Sequence, residues 1–190
     1  MRFMKWCAAI IIWISVLGIP TLSNAFDAEL APGKIDEAIE YGKKHKGMDI
    51  FDSKIVKAAC FGEYPRGRGG MIMSKYIEIA LVSAMKTAQD KSITRDDIRS
   101  IVNSITFNVV VNIAQKIEDP GDVQIVLQQG LTGDNILPIK NEFGMKHKDA
   151  RQAVVGVFAY DKVDPKASTT ILIKCEDTQK KYKINFSHIK

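Results

Sequence analysis

Tryptophan is nearly absent from this chain, and its position matters more than its number. Trp6 and Trp13 are the only two, and both precede Pro20. Cysteine is also scarce: Cys7 lies in the same opening stretch, which leaves Cys60 and Cys175 beyond it. An antibody-type domain with its internal disulfide packed on a tryptophan is therefore excluded, since only Cys175 falls in the β-rich part of the chain. The histidines His45, His147 and His188 and the cysteines show no C-x-x-C, H-x-x-x-H or H-E-x-x-H spacing, so no metal site is indicated. No serine sits in a G-x-S-x-G context. Neither phosphate-cradling glycine motif is present. Glu118 and Asp119 adjoin a turn, where acidic side chains cap backbone N–H groups. Catalysis thus has no signature, and no cofactor is expected.

Long apolar runs are equally rare, with one exception at the start. Arg2 and Lys5 are the only charges before Asp27, and Trp6 to Ile19 is apolar apart from Ser15 and Gly18. Pro20 ends the run, and Thr21-Leu22-Ser23-Asn24-Ala25 follows. A positive end, a short apolar helix and small residues at −3 and −1 (Ser23 and Ala25) read as a cleavable secretory signal over 1–25. The run is shorter than the ~20 residues a membrane-spanning helix needs. Cys7 lies too early to be a lipid-bearing cysteine. The expected mature chain starts at Phe26, carries no stable membrane span, and is periplasmic or secreted.

Removal of Arg2 and Lys5 lowers the formal net charge from +5 to +3, a weak attraction to polyanions. Nucleic acid is not an expected partner, given the modest charge and the export. Export also places Cys60 and Cys175 in an oxidising compartment, where paired thiols tend to join. A Cys60–Cys175 disulfide is expected on that ground; closing a loop of that length contributes about 4–5 kcal/mol in the chain-entropy picture.

Hydropathy periods divide the mature chain. Residues 26–104 read as a helical region. Ile35, Ala38 and Ile39 form a helical stripe that ends in the basic Lys43-Lys44-His45-Lys46 run. A second helix is expected from Asp52 to a stop at Gly62, and the strongest from about Met73 to Ala88. A fourth opens at Thr94, with Asp97 placed for a capping box. Asp90 to Asp97 resembles part of a calcium loop, but it lacks the central glycine and the terminal glutamate. From Phe107 the period changes to 2, and 105–190 reads as antiparallel strands: 107–113, 123–127, a short edge strand at 136–140, 153–160, 169–175 and 182–186. Residues 141–151 read as loop, and 176–180 as a hairpin loop. The expected fold is α+β: an N-terminal helical region packed on a C-terminal antiparallel β-sandwich, immunoglobulin-like in architecture only.

The most unusual stretch is the basic, glycine-rich segment 62–73, with Arg66, Arg68, Gly69 and Gly70. Glycines let backbone N–H groups approach an anion, arginines supply charge, and the following helix would offer its positive end. A small exported hydrolase or anion-binding protein is one reading of that loop; a free, solvated loop is the other. The favoured expectation is a non-catalytic exported protein that binds or assembles with another envelope or extracellular protein. It would use sheet edges such as 136–140 or the last strand, which ends near Phe186.

Overall fold

Two helices in close contact frame the first half of the molecule. Helix α1 (Pro32–Lys44) starts on Pro32, at a position whose N–H would be unpaired in any residue, and ends in Lys43 and Lys44. Helix α3 (Lys75–Thr87) is capped by the Ser74 hydroxyl, which accepts the Ile77 N–H. The two cross where α1 carries Gly42: a Cβ there would lie 2.3 Å from the Ala80 carbonyl oxygen. Between them, a 3-10 turn (Gly47–Asp52) leads into the short α2 (Lys54–Ala59). Asp52 therefore ends the turn, and Ser53 stands at the cap position expected for it. Helix α4 (Arg95–Val102) opens with the capping box read from Thr94 and Asp97.

This computed structural model describes residues 26, 28–114, 116–130, 133–144 and 152–190. The expected signal segment, 1–25, lies outside them, as does most of the expected loop 141–151. Among the described residues, no helix is long and apolar enough to cross a membrane.

The protein is α+β, with two antiparallel sheets. One has five strands in the order β1-β2-β3-β7-β6: β1 (Cys60–Gly62), β2 (Gly69–Met73), β3 (Thr106–Ile113), β7 (Gln152–Ala159) and β6 (Lys140–Phe143). The other has four in the order β5-β4-β8-β9: β5 (Asp134–Ile136), β4 (Val123–Gln129), β8 (Thr169–Cys175) and β9 (Thr178–Ile184). Three departures from the sequence expectation stand out. β1 and β2 come from the segment read as helix and loop, and β2 pairs with β3 along its whole length, so the helical and β regions share a sheet. β6 occupies part of the expected loop 141–151. Finally, β9 begins at Thr178, directly after a tight turn at Glu176-Asp177 in which Glu176 has φ 50°.

Alternation puts Val109, Val111, Val154 and Phe158 on one face of the larger sheet, and Val123, Ile125 and Leu127 on one face of the smaller. All seven are buried. These faces meet: a Cβ added at Gly156 would touch Ile125, and the Phe61 and Tyr182 rings lie 5.0 Å apart across the gap. One continuous apolar cluster runs from this interlayer core into α1 and α3. Phe26 is part of it, 4.3 Å from the Phe186 ring and 4.8 Å from Phe107. The start and end of the described chain thus meet in the core. Lys75 fixes the same region from α3. Its buried ammonium donates to the Ala28 and Val102 carbonyls and lies 5.6 Å from the Tyr160 ring; burial lowers its pKa.

Candidate functional site

The segment 62–73 is a β-hairpin rather than a loop feeding a helix. Gly62 and Gly69 pair at its base with φ of +65° and +142°, values open to glycine at little cost. Glu63 N–H donates to Arg68 O at 2.7 Å, and Gly67 N–H to Glu63 O at 2.8 Å. Gly70 serves packing: a Cβ there would sit 2.2 Å from Val110 O and 2.4 Å from the Phe61 ring. The whole of β2 lies between the arginines and the start of α3, so the helix end does not join them in an anion site. Arg66 reaches back to Asp52, 2.8 Å away, on the exposed surface.

Arg68 has a different setting. It lines a small cavity of about 90 Å³ at the open edge between the sheets, together with Val111, Ile173, Cys175, Thr178 and Lys180. Neither the Arg68 nor the Lys180 side chain has a hydrogen-bond or ion-pair partner among the described residues. The cleft therefore has an apolar floor and two uncompensated cations beside it. Gly69 lines it as well, whereas Arg66 and Gly70 do not.

The expected Cys60–Cys175 disulfide is not formed. Strand alternation is the reason. Phe61 is on the face of the larger sheet that meets the smaller one, so its neighbour Cys60 is on the other. The Cys60 thiol donates to Val56 O at 3.2 Å, and burial pushes its pKa up to about 12. Cys175 pairs with Val123 in the inner face of the smaller sheet. The larger sheet thus separates the two side chains. Among the described residues, no group of three or more His, Cys, Asp or Glu side chains converges as metal ligands would.

Four strands form sheet edges, and they differ in how they meet solvent. β1 and β5 have three residues each. β9 has seven, among them Lys180, Lys181 and Lys183, charges that resist edge-to-edge pairing. β6 carries a single lysine, Lys140, and its charge is offset by Glu142 in an exposed ion pair. Among the described residues, the exposed large apolar side chains are Met48, Ile105, Leu137, Ile139 and Phe143. Three of these fall within 137–143, along β6 and the segment leading into it; Leu137 and Ile139 are 68% and 64% exposed. Gly144 N–H donates to Ala153 O at 2.7 Å. Antiparallel alternation from that bond turns the backbone N–H and C=O groups of Asn141 and Phe143 away from β7. On the side facing the smaller sheet, Asn141 donates to Val123 O at 2.7 Å and holds β6 in place.

Sequence reasoning located part of this edge, at 136–140, but missed Phe143, which follows the polar Lys140-Asn141-Glu142. The one available signal was the spacing of Ile139 and Phe143 around them. No protein-family model matches the chain, and no curated protein or solved structure compared with it does so either. What can be stated of its class is the architecture: an α+β protein with two facing antiparallel sheets, one of which ends in β6, where Ile139 and Phe143 are exposed beside the Lys140–Glu142 pair.

Proposed function

We propose that this is an exported, non-catalytic protein of the cell envelope or extracellular space that binds another protein by accepting a strand at the β6 edge. The carrying observation is that β6 and the residue before it expose Ile139 and Phe143 on either side of the outward backbone groups of Asn141, with one lysine that Glu142 offsets, against three lysines on β9. In strand addition, main-chain hydrogen bonds give affinity and alternate side chains give specificity. Three expectations from the sequence support the setting: the signal segment 1–25, the mature start at Phe26, and the immunoglobulin-like sandwich in its loose sense. Phe26 packs in the core.

A photoreactive residue in place of Phe143, in cells that make the protein, tests this directly. The expected result is one discrete crosslinked adduct from position 143 and none from position 181 on β9. No adduct from 143, or equal adducts from both, would remove the edge from consideration.

A second reading is favoured by Arg68 and Lys180, which stand without counter-charges at the interlayer cleft. It makes the cleft a site for a small carboxylate or phosphate. Titration with inorganic phosphate at constant ionic strength would then shift the Tyr182 and Thr178 resonances in wild type but not in Arg68→Ala.

A further inference from the structure

Self-complementarity in β6 identifies a partner. We propose that the strand added at this edge is β6 of a second copy of the chain, antiparallel about a two-fold axis at Asn141. The proposal rests on the reading of β6 as the binding edge and adds the identity of the occupant.

The sequence Ile139-Lys140-Asn141-Glu142-Phe143 is matched to its own reverse. In antiparallel pairing about Asn141, Lys140 of each copy lies opposite Glu142 of the other. Ile139 lies opposite Phe143, and Asn141 opposite itself. Both contacts that decide register are therefore favourable twice over: opposite charges across the pair, and an aliphatic side chain against an aromatic one. Symmetry of this kind is what an isologous dimer requires. Backbone chemistry agrees at Asn141, whereas the Ile139 N–H is already donated to Val157 O of β7, 2.7 Å away. The N–H and C=O of Asn141 point away from β7, so the two copies of Asn141 can exchange a pair of main-chain bonds. Within one copy, Lys140 and Glu142 already form an ion pair on the exposed side of the strand, so pairing redirects charges that are in place and buries none without a partner. Moving the two-fold axis to Lys140 or to Glu142, a register shift of two residues, would set Lys140 against Lys140 or Glu142 against Glu142. The charges thus select one register. The product is a continuous ten-stranded sheet running through both molecules, and its two remaining edges are the three-residue β1 strands.

The charge pattern supplies its own test. Sedimentation equilibrium on the exported chain, at up to about 1 mM, is expected to show a monomer–dimer equilibrium. Lys140→Glu sets Glu against Glu at both contacts, and Glu142→Lys sets Lys against Lys. Each single variant is expected to dimerise at least about tenfold more weakly than wild type. An equimolar mixture of the two single variants is expected to form a heterodimer, because each copy then carries one sign only. The double variant K140E/E142K is expected to regain self-association. Circular dichroism and thermal unfolding on each variant separate loss of pairing from loss of fold, and recovery in the mixture cannot come from misfolded chains. A wild type that stays monomeric throughout, or single variants that dimerise as wild type does, overturns the proposal. So does a mixture that fails to associate. The crosslink at position 143 separates the two levels. An adduct of twice the chain mass supports self-pairing. An adduct with a different protein overturns self-pairing and leaves the β6 edge as the binding surface. Absence of any adduct, with a monomeric protein, removes both.

Discussion

Glu37 on α1 ties down the C-terminal residue. Its carboxylate accepts hydrogen bonds from Lys190, at the C-terminus, and from Lys34, 2.6 Å away, and Tyr76 donates a third at 3.2 Å. The Lys190 bond, then the Lys34 bond, hold its pKa at about 2 against an ordinary 4.5. A depressed carboxylate stabilises the fold above its unfolded value and loses that contribution as the pH falls. Stability from this contact is therefore present above pH 4.5 and disappears between there and about pH 2. Glu37→Gln should flatten that part of a Tm-against-pH profile. At neutral pH the cost should be within about 1 kcal/mol, because solvent screens a side chain this exposed. Gly70 makes the opposite kind of contribution, through the absence of an atom. Gly70→Ala forces a Cβ against the Val110 carbonyl and the Phe61 ring. It should cost about 1–3 kcal/mol in urea unfolding, whereas Gly33→Ala, whose Cβ would meet nothing within 4 Å, should cost little.

At the level of elements, the capping signal at Thr94 was legible in the sequence, whereas the one read at Asp52 belongs to Ser53. Thr94 and Asp97 form the box their spacing predicts, and Asp97 also takes an ion pair from Lys86 of α3, so the cap fastens α4 to its neighbour. Thr94→Ala should lower stability by about 1 kcal/mol, measured by thermal unfolding. β1 and β2 were not legible. Cys60-Phe61-Gly62 directly continues a helical stripe, and Gly69-Gly70-Met71-Ile72-Met73 opens on two glycines, residues that local propensity assigns to turns. What makes them strands is β3, whose apolar row offers β2 a full ladder of bonds; a partner more than thirty residues away overrides local preference. For the same reason the start of α3 does not adjoin Arg66 to Gly70, since β2 intervenes. The disulfide expectation failed on pleat direction, which cysteine count and compartment do not specify.

Across the whole molecule, the change of hydrophobic period near Phe107 marks where the later strands begin, although β1 and β2 precede it, and the alternating rows at 107–113, 123–127 and 169–175 are the rows that fill the interlayer core. The pairing order of the strands was not readable, because sheet order depends on contacts distant in sequence. For that reason the edges, and with them the candidate surface, emerged only from the fold. Three lysines on β9 guard one long edge, while β6 offsets its single lysine with Glu142 and exposes Phe143, with Ile139 just before it. The most direct measurement of its role is amide hydrogen exchange resolved to single residues, on the isolated chain and on the complex captured through position 143. Slower exchange at Asn141 and Phe143 in the complex, with β9 unchanged, is the predicted result. Unchanged exchange at those two amides, with protection appearing elsewhere, would contradict it.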